Sequence, residues 1–517
     1  MAEGLMSSIH LGSTIVDALV STGVRDVVLA PGSRSAALAL AVDRAARSGA
    51  LRLHVRVDER VASFTALGLA KAAERPVAVI TTSGTAVANL APAAMEARAS
   101  GVPLVFVTAD RPAHFVGTGA SQTADQLGAL GPAGLGVVRL SSESGDAAAW
   151  AAGVHRAVVL AAGHRTRRPG PVQLNAEFAA PMVSPLPEPA RWPLAVTPSR
   201  PGPSHRLEEP LRTVVLAGDA PPEVGAEARR VAEAARAPLF AEPSSNARGG
   251  DCAIAGYRRL LATLGGDIER VVVFGHPTLS RPVTALMSRA DVELVVVTST
   301  ADWPDPGHRA VVVADVVELP AQDEAWLARW RNADSAAVGG GFSQRHVARS
   351  VLASLDGGHD LVLGSSSIIR AADSIAATDD APRVFANRGV AGIDGTIATA
   401  TGIALADGRP STVLIGDLTA QHDLGALVRP TLEPWPSLRV VVADDDGGSI
   451  FHTLEQGAPD YADSFERVFG TPQGLDLVAV ATAMGWRAVR VADQEALDGA
   501  LASDADFIVA AVPRPAP

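Results

Sequence analysis

The sequence predicts an α/β protein of three doubly wound parallel-sheet domains, on three observations. Short β-branched apolar runs alternate with Ala-rich helical stretches along the whole chain, the pattern of strands joined by crossover helices. The runs are almost continuously hydrophobic, as expected of strands buried on both faces. Two breaks in composition divide the series into three, and 517 residues at ~150 per domain also give about three.

The first series holds runs at Asp26 to Ala30, Val77 to Thr81, Leu104 to Thr108 and Val172 to Asn175, with another strand-like segment ending at Arg56. Val183 to Ser204, rich in proline, then reads as an extended linker. The second series holds Val214 to Ala217, Val271 to Phe274 and Leu294 to Val297. Asn332 to Gly341, which closes on Gly339-Gly340-Gly341, reads as a flexible linker. The third series holds Leu361 to Leu363, Val384 to Ala386, Val413 to Ile415, Val440 to Val442 and Ile508 to Ala511. The domains are therefore expected at 1–185, 205–331 and 342–517.

Totals exclude several classes. The chain is 47% hydrophobic and 19% charged, ordinary for a globular protein. A net charge of −12 argues against a general binder of nucleic acid or anionic membrane. Cys252 is the only cysteine, so no intrachain disulfide and no CxxC site exists, and HExxH is absent. Glu3, with no basic residue before the first apolar stretch, does not read as a signal peptide. No apolar run approaches the ~18 residues of a membrane span, so a cytoplasmic location is expected. Lys71 is the only lysine among 44 basic residues. There is thus no GK[ST] phosphate loop. A Schiff-base cofactor would have to use a lysine placed in a helix interior.

Two segments share one form. Thr412 to Ile415 ends in Gly416-Asp417-Leu418, and Val440 to Ala443 ends in Asp444-Asp445-Asp446-Gly447-Gly448. Neighbouring parallel strands would set both acids at one sheet edge, where α/β proteins bind ligands. Two hard oxygen ligands and a carbonyl suit Mg²⁺, which takes phosphate oxygens for its remaining positions. The pair suggests a metal-bridged diphosphate.

Other strand-end loops carry polar chemistry. Arg56-Val57-Asp58-Glu59-Arg60 opens a helix with Asp58 as its N-cap; alone, Glu59 reads as a helix-dipole partner. Ala30 to Ser35 and Thr81 to Ala86 are strand-to-helix turns that offer amides and hydroxyls to anions, or act simply as turns and caps. Thr108 to Pro112, Ala120 to Gln122, Gly364 to Arg370 and Asn387 to Gly395 follow further strands. Arg34, Arg111, Arg370 and Arg388 all occupy such loops. Four arginines at ligand-facing edges point to a polycarboxylate, which guanidinium binds bidentately.

These motifs carry a resemblance. APGSRS at 30–35, DER at 58–60, TSGTAVANL at 82–90, TADRP at 108–112, NRGVAGIDG at 387–395, GDLTAQHDL at 416–424 and DDDGGSIF at 444–451 resemble the thiamine-diphosphate enzymes. Within them they resemble the synthases that form 2-succinyl-5-enolpyruvyl-6-hydroxy-3-cyclohexene-1-carboxylate in menaquinone biosynthesis. The resemblance covers nearly the full length. It implies pyrimidine-binding, central and diphosphate-binding domains in that order. It also implies decarboxylation of 2-oxoglutarate and conjugate addition of the succinyl carbanion to isochorismate, with thiamine diphosphate and Mg²⁺, or Mn²⁺, as cofactors. Asp417 and Asp445 by side chain, and Gly447 by its carbonyl, would ligate the metal. Glu59 would exchange a proton with the aminopyrimidine, across a subunit interface. Ile393 would prop the bent cofactor, with Gly416, Leu418, Ser83 and Gln122 as further cofactor contacts. Ser366, Arg370 and Arg388 would lie on the 2-oxoglutarate side; Arg34, Arg111, Gln122 and Arg281 would lie on the isochorismate side, and Ser33 would be a further substrate contact. A homodimer or homotetramer with active sites between subunits is implied.

The chain departs from the family where asparagine usually stands within Asp444-Asp445-Asp446. The ligand is placed at Asp445 by register with Gly447-Gly448, leaving Asp444 and Asp446 as alternatives. Ser121 stands where some members have asparagine, and the roles of His422 and His452 stay open. Three rival readings are weighed. Asp444-x-Asp446-Gly447 imitates an aspartate-nucleophile phosphatase loop, but no lysine follows it and little chain remains. Another thiamine-diphosphate decarboxylase or carboligase would share the acidic motifs without needing so many arginines. A silent nucleotide-binding regulator would not need Glu59, Asp417 and Asp445.

Overall fold

The computed structural model describes residues 7–334, 341–376 and 379–514. Its first sheet contains β1 (Asp26–Leu29), β2 (Arg52–Val55), β3 (Val77–Thr81), β4 (Leu104–Asp110), β5 (Val137–Ser141) and β6 (Pro171–Glu177), all parallel, in the order β2-β1-β3-β4-β6-β5. Next comes β7 (His205–Arg206). The second sheet follows with β8 (Thr213–Ala217), β9 (Leu239–Ala241), β10 (Arg270–Phe274), β11 (Glu293–Val297) and β12 (Ala310–Ala314), in the order β12-β11-β10-β8-β9, and β13 (Val317–Glu318) pairs with β7. The third contains β14 (Asp360–Leu363), β15 (Arg383–Ala386), β16 (Ser411–Gly416), β17 (Leu438–Asp444), β18 (Ala488–Val491) and β19 (Phe507–Ala511), ordered β15-β14-β16-β17-β19-β18. The third sheet thus repeats the strand order of the first.

The repetition extends to side chains at the strand starts. Asp26 opens β1 fully buried, and Arg52, Arg75 and His54 all bond to it. Burial pushes its carboxyl up, but those hydrogen bonds outweigh it and hold the group well below the usual carboxylate range. Asp360 opens β14 in the same way, bonded by Arg383 and Arg409. Each acid thus joins its own strand, the neighbouring edge strand and the loop that leads into the next strand, at the end of the sheet where the strands begin.

The twelve apolar runs named above are all strands. The strands outside that set are edges. β5, β12 and β18 are all partly exposed, because an edge strand has a neighbour on one side only; Arg139 interrupts β5 and Arg490 interrupts β18, whereas β12 is apolar throughout, Ala310-Val311-Val312-Val313-Ala314, and alternates between exposed and half-buried residues. β9 has only 3 residues.

By compactness the chain forms two units. One is Met1–Ser199 with Ile397–Gly408 and Gly425–Pro436; the other is Arg200–Thr396, Arg409–Leu424 and Ser437–Pro517. The first unit therefore takes helix Thr396–Asp407 from the far end of the sequence. Two glycines permit the contact. A Cβ on Gly68, in helix Glu59–Ala73, would lie 1.9 Å from the Thr399 carbonyl oxygen, and one on Gly402 would lie 2.0 Å from that of Thr65. The linker from Val183 to Ser204 has no regular structure before His205. It is pinned along the first unit by Asp17 and Ser21, which accept from the Ala190 and Trp192 amides. Most of the glycine-ended second linker (335–340), and the stretch holding Glu3, lie outside the described residues. Among the described residues no helix is long and apolar enough to cross a membrane.

Candidate active site

In the second unit, β16 and β17 are hydrogen-bonded parallel neighbours with Gly416 opposite Ala443. Asp417 and the Asp444-Asp445-Asp446 run therefore emerge at one edge. Asp417 and Asp445 are both buried. Burial, then the neighbouring carboxylates of Asp445 and Asp444, push the Asp417 carboxyl up to about 7, although the Leu418 and Gly447 amides donate to it. Burial raises Asp445 too, against hydrogen bonds from Ser449 and Gln344, whose Nε2 lies 2.7 Å from Oδ2.

The three consecutive acids have different partners. Asp444 bonds Arg490 at 3.0 Å. Asp446 is exposed, in the left-handed conformation at φ 53°, with Arg514 3.9 Å away. Asp445 is the buried one, and its charge acts on Asp417. Two buried hard-oxygen donors that repel one another fit a divalent cation, which would offset both the burial and the repulsion that hold Asp417 high. Gly447 sits at φ 138°, where a Cβ would lie 2.0 Å from the Gly470 carbonyl oxygen, so only glycine fits this turn. Its carbonyl accepts the Ser449 amide at 3.0 Å, and the second lone pair of that oxygen is the one a metal would use.

Next to this edge lie the loops after β14 and β15. Ser365 Oγ donates to the Asn387 carbonyl at 2.7 Å, joining them. Ser366 caps helix Ser367–Asp373 and has its Oγ 3.8 Å from where a Cβ of Gly416 would sit. Arg370 Nη1 donates to the Leu279 carbonyl at 2.6 Å, and Arg388 Nη2 donates to the Thr278 carbonyl at 3.1 Å and to Thr278 Oγ1 at 2.9 Å. Burial, then the nearby Arg388 charge, hold Arg370 below the usual arginine range. Neither guanidinium makes an ion pair with a carboxylate among the described residues. Buried Arg388 Nε has no hydrogen-bond partner there. Ile393 is half-buried in the loop before helix Thr396–Asp407.

In the first unit, the loops after β1 and β3 touch: a Cβ on Gly32 would lie 2.3 Å from Thr82 Cβ. Ser83 Oγ donates to the Gln122 carbonyl at 2.9 Å and Gln122 Nε2 returns a bond to the Ser83 carbonyl at 3.1 Å. Ser33 is exposed. Arg34 donates to the Phe178 carbonyl at 2.8 Å; burial and then the Arg111 charge hold it below its usual range. Arg34 and Arg111 are thus a second pair of guanidinium groups that act on one another electrostatically. Asp58 caps helix Glu59–Ala73 through the Arg60 and Val61 amides, and half-buried Glu59 accepts from Asn89 Nδ2 at 3.4 Å.

Some expected residues have other partners. Arg281 is 76% exposed and bidentate on Glu455 at 2.7 and 3.1 Å. His452 stacks on Phe465 at 4.0 Å, a packing contact, and His422 lies 3.7 Å from Asp394. Ser121 is exposed. Sequence reasoning passed over Gln344, Gln126 and Glu242. Gln126 is buried and accepts from the Gly84 amide at 3.2 Å. Glu242 is buried just beyond β9. Its signal was present: an acid directly after an apolar strand, the same form that marks Asp417.

Family models agree with this layout. Residues 9–129 match the model described as thiamine pyrophosphate enzyme, N-terminal TPP binding domain, and residues 365–510 match its C-terminal TPP binding domain. Among curated relatives, the chain is similar to the 2-succinyl-5-enolpyruvyl-6-hydroxy-3-cyclohexene-1-carboxylate synthase of Kineococcus radiotolerans, at 49% identity over 92% of this chain and 90% of the relative. It is similar to the synthase of the same name from a Nocardioides species at 45% identity, over 96% and 92%, and to that of Mycobacterium avium at 42%, over 91% and 90%.

Proposed function

Because this chain belongs to the thiamine pyrophosphate enzymes, and within them to the 2-succinyl-5-enolpyruvyl-6-hydroxy-3-cyclohexene-1-carboxylate synthases, we propose a division of labour among its residues. The protein is a thiamine-diphosphate-dependent transferase that uses Mg²⁺. It decarboxylates 2-oxoglutarate and joins the succinyl unit to isochorismate in menaquinone biosynthesis. Thiamine diphosphate, when bound, supplies the electron sink for the charge left by decarboxylation.

The chain's residues bind, orient and move protons. Asp417 and Asp445, with the Gly447 carbonyl, hold the metal against the diphosphate. Gly416, Leu418, Ser83, Gln122 and Ile393 contact the cofactor, and the Glu59 carboxylate exchanges a proton with its aminopyrimidine. Ser366, Arg370 and Arg388 receive 2-oxoglutarate. Arg34 and Arg111, with Ser33 and Gln122, receive isochorismate; Arg281 joins them only after leaving Glu455. The reading includes domains at 1–185, 205–331 and 342–517, a cytoplasmic location, and a homodimer or homotetramer with active sites between subunits.

One observation carries the substrate choice. Among the described residues Arg370 and Arg388 stand together with no carboxylate paired to them, on the sheet edge that bears Asp417 and Asp445. A keto acid with a distal carboxylate fits that pair, whereas pyruvate leaves it unused. A coupled assay with 2-oxoglutarate and isochorismate tests the whole reading. Product should form only when both thiamine diphosphate and Mg²⁺ are present. No product, or equal use of pyruvate, would overturn it.

A further inference from the structure

We propose that Glu242 is a positioning residue for the keto acid: through one loop of the second sheet it sets the guanidinium groups of Arg370 and Arg388. This rests on the substrate reading above. Glu242 is 1% exposed and follows β9. One carboxylate oxygen accepts the Leu279 amide at 2.9 Å and the other accepts the Thr278 amide at 3.2 Å. The same two residues turn their carbonyls the other way. Thr278 O and Oγ1 accept from Arg388, and Leu279 O accepts from Arg370.

The Leu279 amide and the Thr278 carbonyl belong to a single peptide plane. In a trans peptide they point in opposite directions and cannot rotate independently. Glu242 at one end of that plane therefore fixes where Arg388 is held at the other, and hydrogen bonds in series polarise one another. The carboxylate acts at one remove. It anchors the loop without pairing with either guanidinium, whose remaining N–H groups stay available to a ligand. Arg388 Nε, buried and without a partner among the described residues, is one such donor.

A second brace holds the helix that carries Arg370. Arg248 donates to the carbonyls of Ala372, Asp373 and Ile375 at the C-terminal end of helix Ser367–Asp373. Tyr257 Oη donates to buried Asp373 at 3.0 Å, and Arg258 bonds both Asp373 and the Arg370 carbonyl. The helix is thus fixed at both ends, by its Ser366 cap and by this cluster. Glu242 is the element whose reach extends to both arginines, so the second sheet contributes to keto-acid selection without touching the substrate.

Steady-state kinetics of holoenzyme variants test this, with calorimetric binding of glutarate, a dicarboxylate lacking the keto group. Glu242→Gln keeps the size but offers only one oxygen for the two amides. It should raise KM for 2-oxoglutarate and Kd for glutarate about tenfold, leaving KM for isochorismate and kcat within about twofold. A merely structural residue would lower kcat and shift both substrates alike. Arg388→Lys is the reference for the underlying reading and should raise the same two constants. If Arg388→Lys raises them and Glu242→Gln does not, Glu242 is structural and the proposal falls. If neither variant moves them, the distal carboxylate is bound elsewhere and the substrate reading falls with it. Should Glu242→Gln not fold, Glu242→Asp keeps two oxygens but withdraws them by one methylene from the Thr278 and Leu279 amides. It should raise KM for 2-oxoglutarate severalfold with KM for isochorismate unchanged, and an unchanged KM for 2-oxoglutarate would overturn the proposal.

Discussion

Glu242→Gln should also change how stability responds to pH. Burial is the largest influence on this carboxyl and raises it; the Leu279 and Thr278 amides and Arg388 oppose that, while Asp373 adds to it, and the group is pushed from 4.5 up to about 7. The folded protein then keeps a proton that the unfolded chain releases. Between those two values the native state binds more protons, so stability falls as pH rises. The contribution is fully present below pH 4.5 and is lost as pH climbs through about 7. At ~1.4 kcal/mol per unit the whole loss is roughly 3 kcal/mol, of which about 2–3 kcal/mol falls between about pH 5 and pH 8. Glutamine does not titrate and lacks this component. It gives up one acceptor for a buried amide, a pH-independent cost of ~1–3 kcal/mol. Differential scanning calorimetry of both proteins across the window isolates the effect as variant minus wild-type Tm. That difference should be negative near pH 5 and rise by a few degrees toward pH 8. A difference that stays flat means Glu242 titrates normally in the folded protein, and the burial argument is wrong.

Other outcomes follow from the site. Glu59→Gln should lower kcat by ~10²- to 10⁴-fold while thiamine diphosphate still binds by calorimetry; retention of more than about a tenth of kcat removes Glu59 from proton exchange. Asp417→Ala and Asp445→Ala should each weaken thiamine diphosphate and Mg²⁺ binding together, whereas Asp444→Ala, whose carboxylate is held by Arg490, should leave both nearly unchanged. The reverse pattern in the same titrations would move the metal ligand by one residue. Gly402→Ala should destabilise the first unit by ~1–3 kcal/mol or more, because its Cβ would lie 2.0 Å from the Thr65 carbonyl oxygen; an unaltered melting curve would contradict that close helix contact.

Much of the fold was legible because central parallel strands need apolar residues on both faces, a signal carried by four or five consecutive residues. The joint emergence of Asp417 and Asp445 was legible for the same reason: each acid directly follows a recognisable strand, and β16 pairs with β17. Edge strands β5 and β18 were not, since Arg139 and Arg490 interrupt their apolar pattern; β12, Ala310 to Ala314, is a continuous apolar run that was legible and was passed over. Which of three consecutive acids turns inward was decided by Arg490 and Gln344, brought in from 46 and 101 residues away.

The sequence by itself determined the strand series, the strand-end loops and the kinds of side chain they carry: carboxylates beside glycine, and arginines after several strands. These are local properties, written in residues that adjoin one another. Tertiary structure alone decided the partners. It set Arg281 on Glu455, packed helix Thr396–Asp407 against Gly68, and placed Glu242 behind the loop that holds Arg370 and Arg388. A hydrogen bond or close helix crossing depends on where distant segments meet, to within a fraction of an ångström, and no short stretch of sequence encodes that distance.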